Sequence, residues 1–193
     1  MARPRVFTLL FVVLLGLVTA CGGTTTTTTA PATGYTTITP ATIAPGDAVP
    51  APTGPVVLSL RGAIGHTNAG DQLDFDLATL ERLGLVEFAV NDPHLQARTT
   101  YRGILIERLL AVARVPATAT TIQAIALNDY KVPVPISVMR QWPVMLATLR
   151  NGDRMPVADK GPLEIVFPYD SFPIDPAVHD PMWAWQLRTM EIE

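Results

Sequence analysis

Residues 24 to 55 carry a single charge, Asp47, open with six consecutive threonines and are otherwise rich in Thr, Pro, Ala and Gly. A segment of this composition buries too little apolar surface to offset its ordering entropy, and Thr and Pro stiffen and extend it. Residues 22–55 are therefore expected to form a flexible linker. That leaves residues 56–193 as one globular domain, long enough for a real core.

What precedes the linker reads as an export signal. Arg3 and Arg5 form a short positive region, Val6 to Val18 is an almost unbroken apolar run, and small residues follow at Thr19 and Ala20. The run is too short to favour a spanning helix. Val18-Thr19-Ala20-Cys21-Gly22 resembles a bacterial lipobox, in which a cysteine behind small residues is acylated and becomes the new N-terminus. The expectation is a signal peptide over residues 1–21, lipidation at Cys21, and a domain outside the cytoplasm held on a membrane, the lipid bilayer being its first partner. More than one acyl chain would make that anchoring stable. Cys21 is the chain's one cysteine, so no disulfide framework is available in an oxidising compartment. Loss of Arg3 and Arg5 from 14 basic residues leaves 12 against 17 acidic ones. With its basic residues scattered as well, the chain has no nucleic-acid footprint.

Within the domain, Val56 to Leu60 reads as a strand and Gly62 to Gly70 as turns. Asp76 is placed to cap a helix in which Leu77, Leu80 and Leu83 share a face and Gly84 marks the stop. Val86 to Val90 has strand character, ended by Asn91-Asp92-Pro93-His94. Ile104 to Val115 sets Leu105, Leu109, Leu110 and Ala113 on one side of a second helix, closed by Pro116. Strands are expected at Thr121 to Leu127, Val144 to Leu149, Leu163 to Phe167 and Trp185 to Ile192. Val132 to Ile136 is confined by Pro133 and Pro135 to an edge strand or extended loop. The sum is a β-rich α+β domain with a few short helices.

Five segments, in this order, resemble the molybdopterin-binding domain of the sulfite oxidase family, in its small exported bacterial branch. They are the leucine-rich helix at 77–83 with Val86-Glu87-Phe88; Tyr101-Arg102-Gly103 with Leu109-Leu110; Asn128-Asp129-Tyr130 with Val134-Pro135-Ile136; Lys160-Gly161-Pro162 leading to Val166-Phe167-Pro168; and Gln186 to Ile192. The resemblance covers residues 70 to 193 and implies that family's fold. It also implies a molybdopterin cofactor whose metal is held by a protein thiolate, a soft ligand suited to molybdenum. The cysteine would belong in Asn91 to Gln96, where none stands. Glu164 occupies the place of a basic residue that would help neutralise the cofactor phosphate, and Trp185-Gln186 that of a Lys-Trp pair. Each lost cation forgoes a charge-assisted hydrogen bond of about 1.5–3 kcal/mol.

No bound cofactor is therefore expected, molybdopterin being the one the resemblance would supply. The implied cleft residues are Asp92, His94, Asn128, Asp129 and Lys160, with no catalytic residue and no metal ligand assigned. Three readings stay open: a binding module for a small-molecule ligand or envelope protein; an oxidoreductase using a ligand such as Asp92 or a partner subunit; and an envelope adaptor whose aromatic, Pro-rich segment 167–185 binds glycan or protein. His66, His94 and His179 are too dispersed to form a metal-binding spacing. Asn128-Asp129 also suits a plain turn.

Overall fold

The computed structural model describes Met1 and residues 33–193. The signal segment with Cys21, and residues 22–32 of the expected linker, lie outside the described residues. Three strands come first, β1 (Thr36–Thr39), β2 (Val56–Gly62) and β3 (Leu73–Asp76), followed by helix α1 (Leu77–Glu81), then β4 (Leu85–Asp92), β5 (Ala97–Leu105) and α2 (Ile106–Val112). The chain continues through β6 (Thr121–Ala126), β7 (Lys131–Pro135), α3 (Ile136–Gln141), β8 (Met145–Arg150), β9 (Asp153–Arg154), β10 (Glu164–Val166), α4 (Pro176–His179) and β11 (Leu187–Ile192). The β-rich α+β expectation is met.

The strands form two sheets. One runs β1-β4-β5-β8-β10, with β9 added to β8, and the other β3-β2-β11-β6-β7. Alternation along the strands explains why they pack against each other: Leu58 and Leu60 of β2, Val86, Phe88 and Val90 of β4, and Met190 and Ile192 of β11 are buried while their neighbours are more exposed. One continuous apolar cluster joins both sheets. As its prolines require, β7 is an edge strand. The close pass of β5 over β8 depends on Gly103, where a Cβ would stand 2.1 Å from the Leu146 carbonyl oxygen and the register shifts. Gly103 thus belongs to a strand, and the second helix starts later than its leucine spacing predicts.

The boundary at residue 56 does not match the structure. Thr36–Thr39 pairs antiparallel with β4, and Ile43 and Val49 are buried in the common core. Asp76, the N-cap of α1, explains the anchoring further along. Its Oδ1 accepts the Thr79 N–H at 2.7 Å, while its Oδ2 accepts the N–H groups of Thr53 at 2.9 Å and Gly54 at 3.0 Å. Those donors, the Thr79 amide foremost, hold the Asp76 carboxyl well below the usual carboxylate range. Composition hid this because a few apolar residues, Ile43 and Val49 among them, suffice to dock a segment on a core that already exists.

Candidate functional site

The two sheets are sewn together where β10 meets the approach to β11. The Ile165 N–H donates to the Ala184 carbonyl at 2.7 Å, the Gln186 N–H to Lys160 at 2.9 Å, and the Leu187 N–H to Leu163 at 3.1 Å. Asp92, His94, Lys160, Glu164, Trp183 and Trp185 gather around this seam.

Asp92 ends β4 and is buried. Its Oδ1 accepts the N–H groups of His94 at 2.7 Å and Leu95 at 2.9 Å, and its Oδ2 accepts the Tyr101 hydroxyl at 2.5 Å. The carboxylate closes its own turn and accepts three hydrogen bonds. These three bonds compete with any use of Asp92 as a metal ligand. Burial, followed by the charge of Glu164 and the hydrogen bond to Asp92, drives the Tyr101 phenol far above its ordinary range, so it stays protonated as a donor.

His94 packs between two indoles, 5.5 Å from the Trp183 ring and 4.9 Å from the Trp185 ring, edge-on to both. Its Nε2 is buried without a hydrogen-bond partner. Burial and then the charge of Lys160 lower its pKa, favouring the neutral ring. Lys160 adopts φ 64° at the end of a short 3-10 turn over Val157–Asp159 and sets its Nζ 4.4 Å from the Trp185 ring centroid, a cation–π contact.

Glu164 opens β10 and is fully buried. Its Oε1 accepts the Trp183 indole N–H at 2.7 Å, while Oε2 has no partner. Burial pushes its pKa up to about 7 against the opposing hydrogen bond from Trp183, with the Asp92 charge adding to the rise. Arg150, whose charge also reaches Glu164, pairs with Asp159 through Nη2.

Asn128 and Asp129 do not join this group. They form the turn between β6 and β7, with Asp129 at φ 65°, the Asn128 Oδ1 accepting the Tyr130 N–H at 3.2 Å, and the Asp129 carboxylate paired with Arg188 in solvent. The turn alternative for Asp129 is the one observed. Asn128 instead lines a pocket of about 340 Å³ together with Tyr130, Asp180, Trp183, Trp185 and Gln186. The tryptophans are shared: His94 lies against their rings, and the pocket is walled by them. The other two histidines serve local structure, His66 Nδ1 meeting the Val112 carbonyl at 3.1 Å and His179 Nδ1 that of Asp175 at 2.9 Å.

Sequence reasoning placed Asp92, His94 and Lys160 at one site but missed Tyr101, Glu164 and Trp183 as its buried partners. A carboxylate inside the apolar run Leu163-Glu164-Ile165-Val166-Phe167 was the available signal.

A molybdenum pterin does not suit these residues. The loop where a thiolate would stand offers a hard carboxylate that already accepts three hydrogen bonds, and the lining of the pocket contains Asp180 but no Lys, Arg or His to meet a phosphate. Arg188 pairs with Asp129 and Arg150 with Asp159 through Nη2, its Nη1 being buried without a partner, and neither these residues nor Lys160 line the pocket. Among the described residues no group of three or more His, Cys, Asp or Glu side chains could hold a metal ion.

The fold and site define a two-sheet, β-rich α+β domain with a polar cluster buried at the seam of its sheets. Comparison with solved structures finds a similar fold in a chain of the sulfane dehydrogenase SoxCD from Paracoccus pantotrophus, with a TM-score of 0.54 and 18% identity over 70% of this chain and 37% of that one. The likeness is one of fold, and it takes in little more than a third of the neighbour's length. Protein-family models and curated proteins give no match.

Proposed function

We propose that this chain is an exported, membrane-tethered lipoprotein whose sulfite-oxidase-like, molybdopterin-binding type of domain works as a binding module instead of a redox enzyme. The distant fold likeness to a sulfane dehydrogenase chain supports the ancestry. The observation that carries the binding role is the Asp92 turn: where a metal-binding thiolate would belong, a buried carboxylate is consumed by His94, Leu95 and Tyr101. Cys21 stands ahead of the domain in a lipobox-like sequence, and in this reading its sulfur carries the lipid. The ligand surface in this reading is the wall formed by Trp183 and Trp185, reached from the Asn128 side.

Two measurements test the two halves. Protein purified from a molybdate-fed host is expected to contain neither stoichiometric molybdenum nor pterin fluorescence, and finding both would end the binding-only reading. Cys21→Ala is expected to move the protein from the membrane fraction to the soluble exported fraction, and unchanged membrane association would remove the lipid anchor.

A further inference from the structure

The pocket beside Asn128 has walls of a particular chemistry. Tyr130 is 58% exposed and Trp185 36%, so both offer ring surface to a ligand, while Trp183 is almost wholly covered and forms a fixed base. The amides of Asn128 and Gln186 and the carboxylate of Asp180 share the lining with them. The Asn128 Oδ1 already accepts the Tyr130 N–H, the Gln186 Nε2 donates to the Val157 carbonyl and the Asp180 Oδ1 accepts the Tyr169 hydroxyl, which leaves the Asn128 Nδ2, the Gln186 Oε1 and the Asp180 Oδ2 to meet a ligand rich in hydroxyls. Exposed aromatic faces match a ligand with an apolar C–H face. At about 340 Å³ the pocket falls within the range of small-molecule sites.

Charge narrows the class. A cationic ligand would approach an indole already held by the Lys160 ammonium at 4.4 Å. An anionic ligand would meet Asp180 in the lining, which offsets the Lys160 ammonium at Trp185, so neither sign of net charge is favoured. The walls are also set in advance. Glu164 holds the Trp183 indole N–H, and Trp185 is braced by Lys160 and His94, so little side-chain freedom is lost on binding.

We propose that this pocket binds a neutral saccharide, one sugar ring stacking on Trp185 and Tyr130 with its hydroxyls bonded to Asn128, Gln186 and Asp180. The inference rests on the binding-module reading and names its ligand class.

The test is a titration of the full-length protein with cellotriose, maltotriose and the trisaccharide of N-acetylglucosamine, followed by indole fluorescence and calorimetry. At least one of the three is expected to give a saturable signal that Tyr130→Ala and Asn128→Ala each weaken about three- to tenfold. Both positions are exposed turn residues, so these variants keep the fold, which thermal melting confirms alongside the stronger Trp185→Ala. A flat response to all three sugars, or a response that Tyr130→Ala and Asn128→Ala leave unchanged, overturns the proposal. Molybdenum is measured on the same preparation: its absence together with a flat response overturns the saccharide assignment alone, whereas stoichiometric molybdenum overturns the binding-module reading as well.

Discussion

Glu164 is the residue on which the site's electrostatics turn. A carboxyl with an ordinary pKa of 4.5 sits fully buried with one oxygen unpartnered, and its folded pKa rises to about 7. Between those values the folded state binds the proton that the unfolded state has released, so this group's contribution is present below pH 4.5 and is lost as pH rises through about 7. His94 acts in the opposite sense, because its lowered pKa removes stability as the solution is acidified below 6.5. A comparison of variants isolates Glu164 from it. Glu164→Gln keeps an acceptor for Trp183 and removes the titration, so the stability of the native protein relative to this variant should fall by on the order of 3 kcal/mol between pH 4.5 and 7. Urea denaturation at intervals across that range measures it, and two parallel stability curves would show that Glu164 does not titrate there. The sequence disclosed the role of Asp76 because a capping aspartate is a local pattern. It placed Asp92 and His94 in a turn for the same reason. It could not disclose that Tyr101 closes on Asp92 or that Trp183 closes on Glu164, since those partners meet only through the assembly of separate strands.

At the scale of elements, most strands were legible from alternation, as in Val86 to Val90 and Thr121 to Ala126, and the capped α1 from its leucines. The misses have physical causes. β5 begins with the polar run Ala97-Arg98-Thr99-Thr100, whose strand identity comes from pairing with β4 and not from its own hydrophobicity. β1 is exposed along its length and exists through its ladder with β4. The segment that contains it is nonetheless part of the domain, and Ile43 shows by how much. It is 1% exposed, so Ile43→Ala should cost about 2–4 kcal/mol, read as a lowered urea midpoint with an unchanged slope. A free tether would predict no change at all. The ordered domain accordingly reaches back at least to Gly34, which is itself buried against Phe172.

At the scale of the whole molecule, the order of elements carried the fold class and the distant likeness of fold, while the working surface had to be seen in three dimensions. Asn128 and Asp129 are neighbours in sequence, yet one lines the pocket and the other points to Arg188 in solvent. The seam that creates the site also sets the order in which the molecule can be built. β11 lies between β2 and β6, parallel to the first and antiparallel to the second, and pairs Thr189 with Ser59 across nearly the whole domain. Deleting residues 187–193 should therefore leave the protein in the insoluble fraction, since β2 and β6 would each lose a central neighbour; a soluble product with native near-ultraviolet dichroism would contradict this. During synthesis, half of the molecule waits for a contact of very long sequence separation, a topology that slows folding. Until residues 187–192 arrive, a nascent chain keeps two naked strand edges, and any stalled or clipped copy presents them to its neighbours as a template for aggregation.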